Sequence, residues 1–208
     1  MSIRWFAIAL ACIAAFATAA PAQETRPTKG NTETQGPSSD MTAYVPPGTK
    51  LPGSFVYVYS FLDLRGDVLG DDLMSDMQDT LGASLRAAGI DNKVLPSKRN
   101  PEMGFTEDYE GNKNVGVAAA IKANAADEAA TKARFRLIAF PANVTEMEYP
   151  AMQVFDIEWK LVDIRTDREI WSLTTHDKHS YVGLTGSKSR AKSTIKRVMA
   201  GLASAGLL

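Results

Sequence analysis

"QVFDIEWKLVDIRTDREIWSLTTHD", Gln153 to Asp177, decides the fold. Phe155, Ile157, Trp159 and Leu161 occupy every second position, with Asp156, Glu158 and Lys160 between them. Successive side chains of a strand point to opposite faces, so this pattern predicts a strand with an apolar face turned inward and a charged face turned outward. Arg165 to Arg168, "RTDR", makes a turn, and "EIWSLTTHD" returns as the hairpin partner.

Upstream, "FVYVYSFLDL" carries apolar residues on both faces: Phe55, Tyr57, Tyr59 and Phe61 on one, Val56, Val58 and Leu62 on the other. That is a central strand covered on both sides. In the segment after it, Leu69, Leu73, Met77, Leu81 and Leu85 recur every four residues, which makes a helix with Gly89 as its C-terminal stop. "IDNKVLP" is a short second strand. Ser97 to Asn114 is a polar loop, long enough to be either functional or disordered. "VGVAAAIKANAADEAATKA", from Val115, is an alanine-rich helix, and "RFRLIAF" a strand ending at Pro141. A last helix runs from Ser187 to about Leu207. The order is β-α-β-α-β-β-β-α. It predicts an α/β (α+β) domain whose mixed sheet is parallel at its start and antiparallel at its end.

Within the hairpin, "WKLVDIRTDREIW" resembles the strand-turn-strand signature of TolB N-terminal-like proteins, with "ARFRLIAF" where that fold has a central strand after a small helix. The group includes outer-membrane activators of penicillin-binding proteins and the curli secretion lipoprotein. The resemblance covers about residues 54–208 and implies a non-catalytic binding module of the bacterial cell envelope. It does not identify a partner.

The chain has 208 residues, 45% apolar and 23% charged, which fits one domain with additions. Residues 1–22 read as a secretory signal peptide: Arg4, an apolar run from Trp5 to Ala20, then Ala20-Pro21-Ala22 as the cleavage site. Ala9-Leu10-Ala11-Cys12 loosely resembles a lipoprotein box. Ala9 stands where a larger aliphatic is usual, and the apolar run continues past the cysteine. Ordinary cleavage after Ala22 is therefore preferred to an outer-membrane lipoprotein anchored at Cys12. Cys12 is the only cysteine, so the mature chain has no thiolate chemistry and no disulfide. Residues 23–53 are polar and broken by Pro27, Pro37, Pro46, Pro47 and Pro52, and read as a flexible tether reaching on the order of 30 Å. The folded domain is expected over 54–208. The expected location is the periplasm or the medium, with no integral membrane domain after cleavage. The mature chain balances 22 basic against 24 acidic residues, which gives no reason to expect a nucleic-acid partner.

No chemical motif survives inspection. In "GLTGSKSRAKSTIKRV", Gly183 to Val198, a phosphate-binding loop would need glycine at Val182 and at Ser187, and both positions miss. His176 and His179 are three apart at a strand end and point to opposite faces, a poor zinc pair. Ser189-x-x-Lys192 and Ser193-x-x-Lys196 match the S-x-x-K of penicillin-binding enzymes, but the companion motifs are missing and the domain is too small. "DLRGDVLGDD" lacks the alternating spacing of a calcium loop. No cofactor, metal or catalytic residue is expected.

What remains is the last helix. Ser187 would cap it, and Ala191, Ile195, Val198, Met199 and Leu202 make its apolar face. Lys188, Arg190, Lys192, Lys196 and Arg197 fill much of the rest, near an N-terminus whose dipole disfavours cations. Asp63, Asp67, Asp71, Asp72, Asp76 and Asp79 cluster around the first helix, so the two helices are expected side by side with opposite charges facing. The same five cations are the candidate partner-binding residues, for an envelope protein or another anionic surface. The leading functional reading is an envelope adaptor. The alternatives are an enzyme acting on peptidoglycan or glycan, and a membrane-surface or structural protein using the basic helix.

Overall fold

The computed structural model describes residues 28–31, 39–60, 71–95, 109–147, 152–180 and 186–208. The order along the chain is β1 (Thr28–Asn31), β2 (Ser39–Ala43), β3 (Phe55–Ser60), α1 (Asp71–Ala87), β4 (Asp91–Leu95), α2 (Tyr109–Thr131), β5 (Phe135–Met147), β6 (Met152–Asp163), β7 (Arg168–Ser180) and α3 (Ser187–Ser204). The seven strands form one sheet in the order β1-β2-β7-β6-β5-β3-β4. β3 pairs in parallel with β4 and β5, and β5, β6 and β7 pair antiparallel. The expected α+β architecture and mixed sheet are present.

The alternation in β6 does what its spacing requires. Phe155, Ile157, Trp159 and Leu161 are buried on one face, joined by Trp171 and Leu173 of β7. α1 and α3 pack on this face through Leu73, Met77, Leu81 and Leu85 and through Ala191, Ile195, Val198 and Leu202. Each large apolar side chain among them contributes about 1.5–3 kcal/mol when fully removed from water. Glycine lets α3 come close: a Cβ on Gly201 would stand 3.1 Å from Trp171 Cζ2. Trp159 Nε1 donates to Thr175 Oγ1 at 3.2 Å, which satisfies a polar atom inside this core.

On the opposite face α2 covers a smaller cluster of Tyr57, Tyr59, Ile138 and Phe140 through Val117, Ala120 and Ile121. β3 is thus covered on both sides, as its sequence predicts. Both long helices of the first face end as their glycines dictate. Gly89 and Gly206 take φ of 74° and 71°. The N–H groups of Ile90 and Leu207 reach back to the carbonyls of Leu85 and Leu202 at 3.0 Å.

Four expectations change. Of the expected tether, residues 28–31 and 39–53 are described, and they belong to the fold. β2 pairs with β7 from Ser39↔Thr175 to Ala43↔Trp171, and Leu51 is wholly buried. β2 takes the edge of β7 that β6 leaves open, and Met41 and Ala43 extend the apolar face that β7 begins. The alanine-rich helix starts at Tyr109 rather than Val115, so only residues 97–108 of the expected loop lie outside the described residues. β5 continues past Pro141 to Met147. Proline is tolerated there because the pairing with β3 among the described residues reaches only Ala139 and the β5–β6 register shifts between Pro141 and Asn143. Ser187 is the first helical residue of α3, and Gly186 is its N-cap without a side-chain bond. The expected signal peptide over residues 1–22, Cys12 within it, and Phe61, Leu62, Asp63, Asp67 and Leu69 lie outside the described residues.

Candidate partner-binding face

The five cations on α3 divide into two sets. Lys188, Lys192 and Lys196, each four residues from the next, are exposed and make no ion pair among the described residues. That spacing stacks them along one side of the helix. The two arginines turn towards the sheet. Arg190 is half-buried, with its guanidinium 5.5 Å from the centre of the Phe155 ring. Arg197 pairs with Asp177 of β7, their side chains 18% and 11% exposed.

Asp177 lies at the helix-covered end of β7. Its Oδ2 accepts the Thr194 hydroxyl at 3.0 Å while Oδ1 accepts from Arg197. Thr194 itself is fully buried. A buried carboxylate must be paired and hydrogen-bonded to be tolerated, and here α3 supplies both partners. The result fixes the rotation of α3 about its axis, and so fixes which way the lysine row points. Arg190 and Arg197 position this face rather than present charge from it.

The helix N-terminus has no acidic residue in its first turn. A carboxylate from α1 stands there instead: Asp76 Oδ2 accepts from Ser187 Oγ at 2.5 Å. An anion at that end offsets the dipole that the nearby cations oppose. The two helices do lie side by side as expected. Among the described residues, however, Lys192 and Lys196 form no ion pair with Asp72, Asp76 or Asp79, and the contact between the two helices' charged and polar side chains is this one at the helix start.

The ionisable groups with displaced pKa values lie where α2 meets the sheet. Burial and the Asp127 carboxylate push the Tyr57 hydroxyl far up, and Tyr57 donates to Asp127. Lys93 holds the Asp127 carboxyl below its usual range, at 2.6 Å. Arg136 forms a two-pronged pair with buried Glu128 at 2.8 and 2.7 Å, and its pKa is raised by that pair. His176, towards the end of β7, is half-buried and its Nδ1 lies 2.7 Å from Asp156 Oδ1. The side chain of His179 lies outside what is described. Among the described residues no group of three or more His, Cys, Asp or Glu could hold a metal ion. No described helix is long and apolar enough to cross a membrane.

Sequence reasoning missed Asp177. The signal was its parity: it falls in the same alternating set as Trp171, Leu173 and Thr175, all buried.

No family model matches the chain, and neither does any curated protein. Among solved structures it is similar to the PelC dodecamer from Paraburkholderia phytofirmans, at 16% identity over 79% of this chain and 96% of that one, with a TM-score of 0.46. It is also similar to the lipoprotein GNA1162 from Neisseria meningitidis, at 16% identity over 73% and 99%, TM-score 0.42. A third likeness is to the hypothetical protein CT253 from Chlamydia trachomatis, at 10% identity over 74% and 97%, TM-score 0.37. At these identities and scores the likeness assigns no partner and no activity.

Proposed function

We propose that this protein is a secreted, non-catalytic accessory of the bacterial cell envelope, built on a TolB N-terminal-like domain, and that it works by binding another envelope protein through α3. One observation carries the reading. Lys188, Lys192 and Lys196 form an exposed row with no ion-pair partner among the described residues, on a helix whose rotation is fixed by the buried Asp177–Thr194–Arg197 contact. A fixed row of like charges suits an acidic protein surface and gains specificity and association rate more than raw affinity. The groups with displaced pKa values, Tyr57, Tyr59, Asp127 and Arg136, are engaged with one another, with Lys93 or with Glu128. The secretory reading of residues 1–22 supports the location.

The test is in-cell photocrosslinking with the reactive side chain placed at Lys192 or, for comparison, at exposed Lys122 of α2. One recurrent envelope protein captured at Lys192, and lost when Lys188 and Lys196 are changed to Glu, supports the reading. Capture at Lys122 alone, or at both positions alike, overturns the assignment to α3.

A further inference from the structure

At the end of the sheet where β6 turns into β7, a cleft of about 220 Å³ opens between that turn and residues 44–49. It is far from the start of the lysine row: the neighbouring Leu51 N–H bonds to the carbonyl of Leu207, beyond the opposite end of α3. Three arginines line the cleft, Arg134 before β5, Arg165 in the turn and Arg168 at the start of β7. Arg165 and Arg168 are exposed and make no ion pair among the described residues.

The one acid in the lining, Asp163, is 4% exposed and already engaged. Its Oδ1 accepts the Arg165 backbone N–H at 3.0 Å, and its Oδ2 lies 3.9 Å from Arg134 Nη2. Asp167, in the same turn, has its carboxylate 3.7 Å from Arg136. With both acids engaged, the lining keeps two exposed cationic side chains, Arg165 and Arg168, that make no ion pair among the described residues. Its other wall is Tyr44 followed by Pro46 and Pro47. Tyr44 is the one large apolar side chain that stands well exposed among the described residues, at 53%.

The wall is anchored. Tyr44 N–H bonds to the Ile170 carbonyl at 2.9 Å, close to where the β6–β7 register shifts. Thr49 is buried and its N–H closes a turn onto Pro46. A ligand would meet a preformed surface on that side, which limits the ordering cost of binding.

Guanidinium is planar and donates in pairs, a geometry that matches carboxylate and phosphate oxygens. An aromatic ring beside it suits a flat apolar group attached to that anion. We propose that this cleft binds an oxyanion, carboxylate or phosphate, carried on a flat apolar group that rests on Tyr44 while Arg165 and Arg168 hold the anion.

The test is an NMR titration of the mature protein with phenyl phosphate, benzoate, inorganic phosphate and phenol. Phenyl phosphate or benzoate should saturate with shifts centred on residues 44–49, 134 and 163–170. Which of the two binds more tightly tells phosphate from carboxylate. Phenol should not saturate, and inorganic phosphate should bind more weakly. Arg165→Gln with Arg168→Gln should weaken binding of the aromatic anion at least about tenfold. Tyr44→Ala should weaken the aromatic anions and leave inorganic phosphate unchanged. Shifts centred on the α3 lysines, or unchanged affinity in the double arginine variant, overturn the proposal. Both variants alter exposed side chains, and a spectrum that keeps its native dispersion confirms the fold in the same experiment.

Discussion

The two faces of the sheet are covered by opposite means. On one, α1 and α3 lie over two tryptophans, two phenylalanines and a run of aliphatics, with few polar atoms. On the other, the alanine-rich α2 covers four large side chains, and polar contacts surround them: Arg136 with Glu128, and Asp127 with both Lys93 and the Tyr57 hydroxyl. Apolar area drives the first face. Pairing decides the second, where a buried charge costs heavily if left alone and contributes little net when paired. The contrast predicts different responses to the same kind of insult.

The largest effect belongs to the apolar face. Trp159→Ala should cost about 3–5 kcal/mol in urea unfolding, because a fully buried indole leaves a cavity and takes a hydrogen bond away from the Thr175 hydroxyl. Ile121→Ala on the sheet-facing side of α2, only partly buried, should cost about 1–2 kcal/mol. Equal losses would mean that the faces do not differ in kind.

The second face is probed by its own pair. Arg136→Ala should destabilise by about 3 kcal/mol, since Glu128, 7% exposed at its side chain, would be left charged and alone. Arg136→Met together with Glu128→Leu should come within about 1 kcal/mol of the parent. A double variant as damaged as the single one would show that the pair contributes net stability. Alkaline pH offers a finer probe. Burial, with the Glu128 charge adding to it and Arg136 opposing it, pushes the Tyr59 hydroxyl from 10.0 up to about 12. The folded state holds that proton more tightly than the unfolded chain does. This contribution is therefore complete below pH 10 and is lost as pH rises through about 12. Tyr59→Phe should flatten the fall of stability with pH in that window, and a fall of unchanged steepness would assign it to other groups.

How much of this was legible varied with how locally the signal was written. The β6–β7 hairpin was readable because period-2 alternation and a turn sit in one stretch. The leucines of α1 and the doubly apolar β3 were readable for the same reason. β2 was not: "SDMTA" alternates over too few residues to stand out, and only the open edge of β7 makes it a strand. Pro46 and Pro47, which in the sequence look like marks of a tether, instead wall the arginine cleft. The cleft itself left no trace in the sequence, because Tyr44, Arg134 and Arg165 come from three distant segments that only the sheet order brings together. Asp177 was half legible, since its parity was plain but its partners on α3 were not.

Where α3 meets β7 the two strategies join, with a buried carboxylate paired inside the apolar face. Thr194→Val keeps the shape and removes the hydroxyl from Asp177, so it should cost about 1–2 kcal/mol. It should also loosen the orientation of α3, which a weaker crosslink from position 192 would report. If stability falls and crosslinking does not, the contact serves packing alone.

The smallest effect separates function from fold. The clustered aspartates of α1 suggested that the lysines of α3 are held electrostatically, in which case reversing them would destabilise the protein more at low salt than at high salt. The structure leaves Lys192 and Lys196 exposed and outside any ion pair among the described residues. Lys192→Glu with Lys196→Glu should therefore change stability by less than about 0.5 kcal/mol at either salt concentration. Partner capture in the cell should fall steeply in the same variant, because association steered by a charge row depends on its sign. A salt-dependent loss of stability would return these lysines to the fold. Intact stability with intact capture would leave the row an ordinary solvated face and move the search for a partner to other surfaces of the sheet.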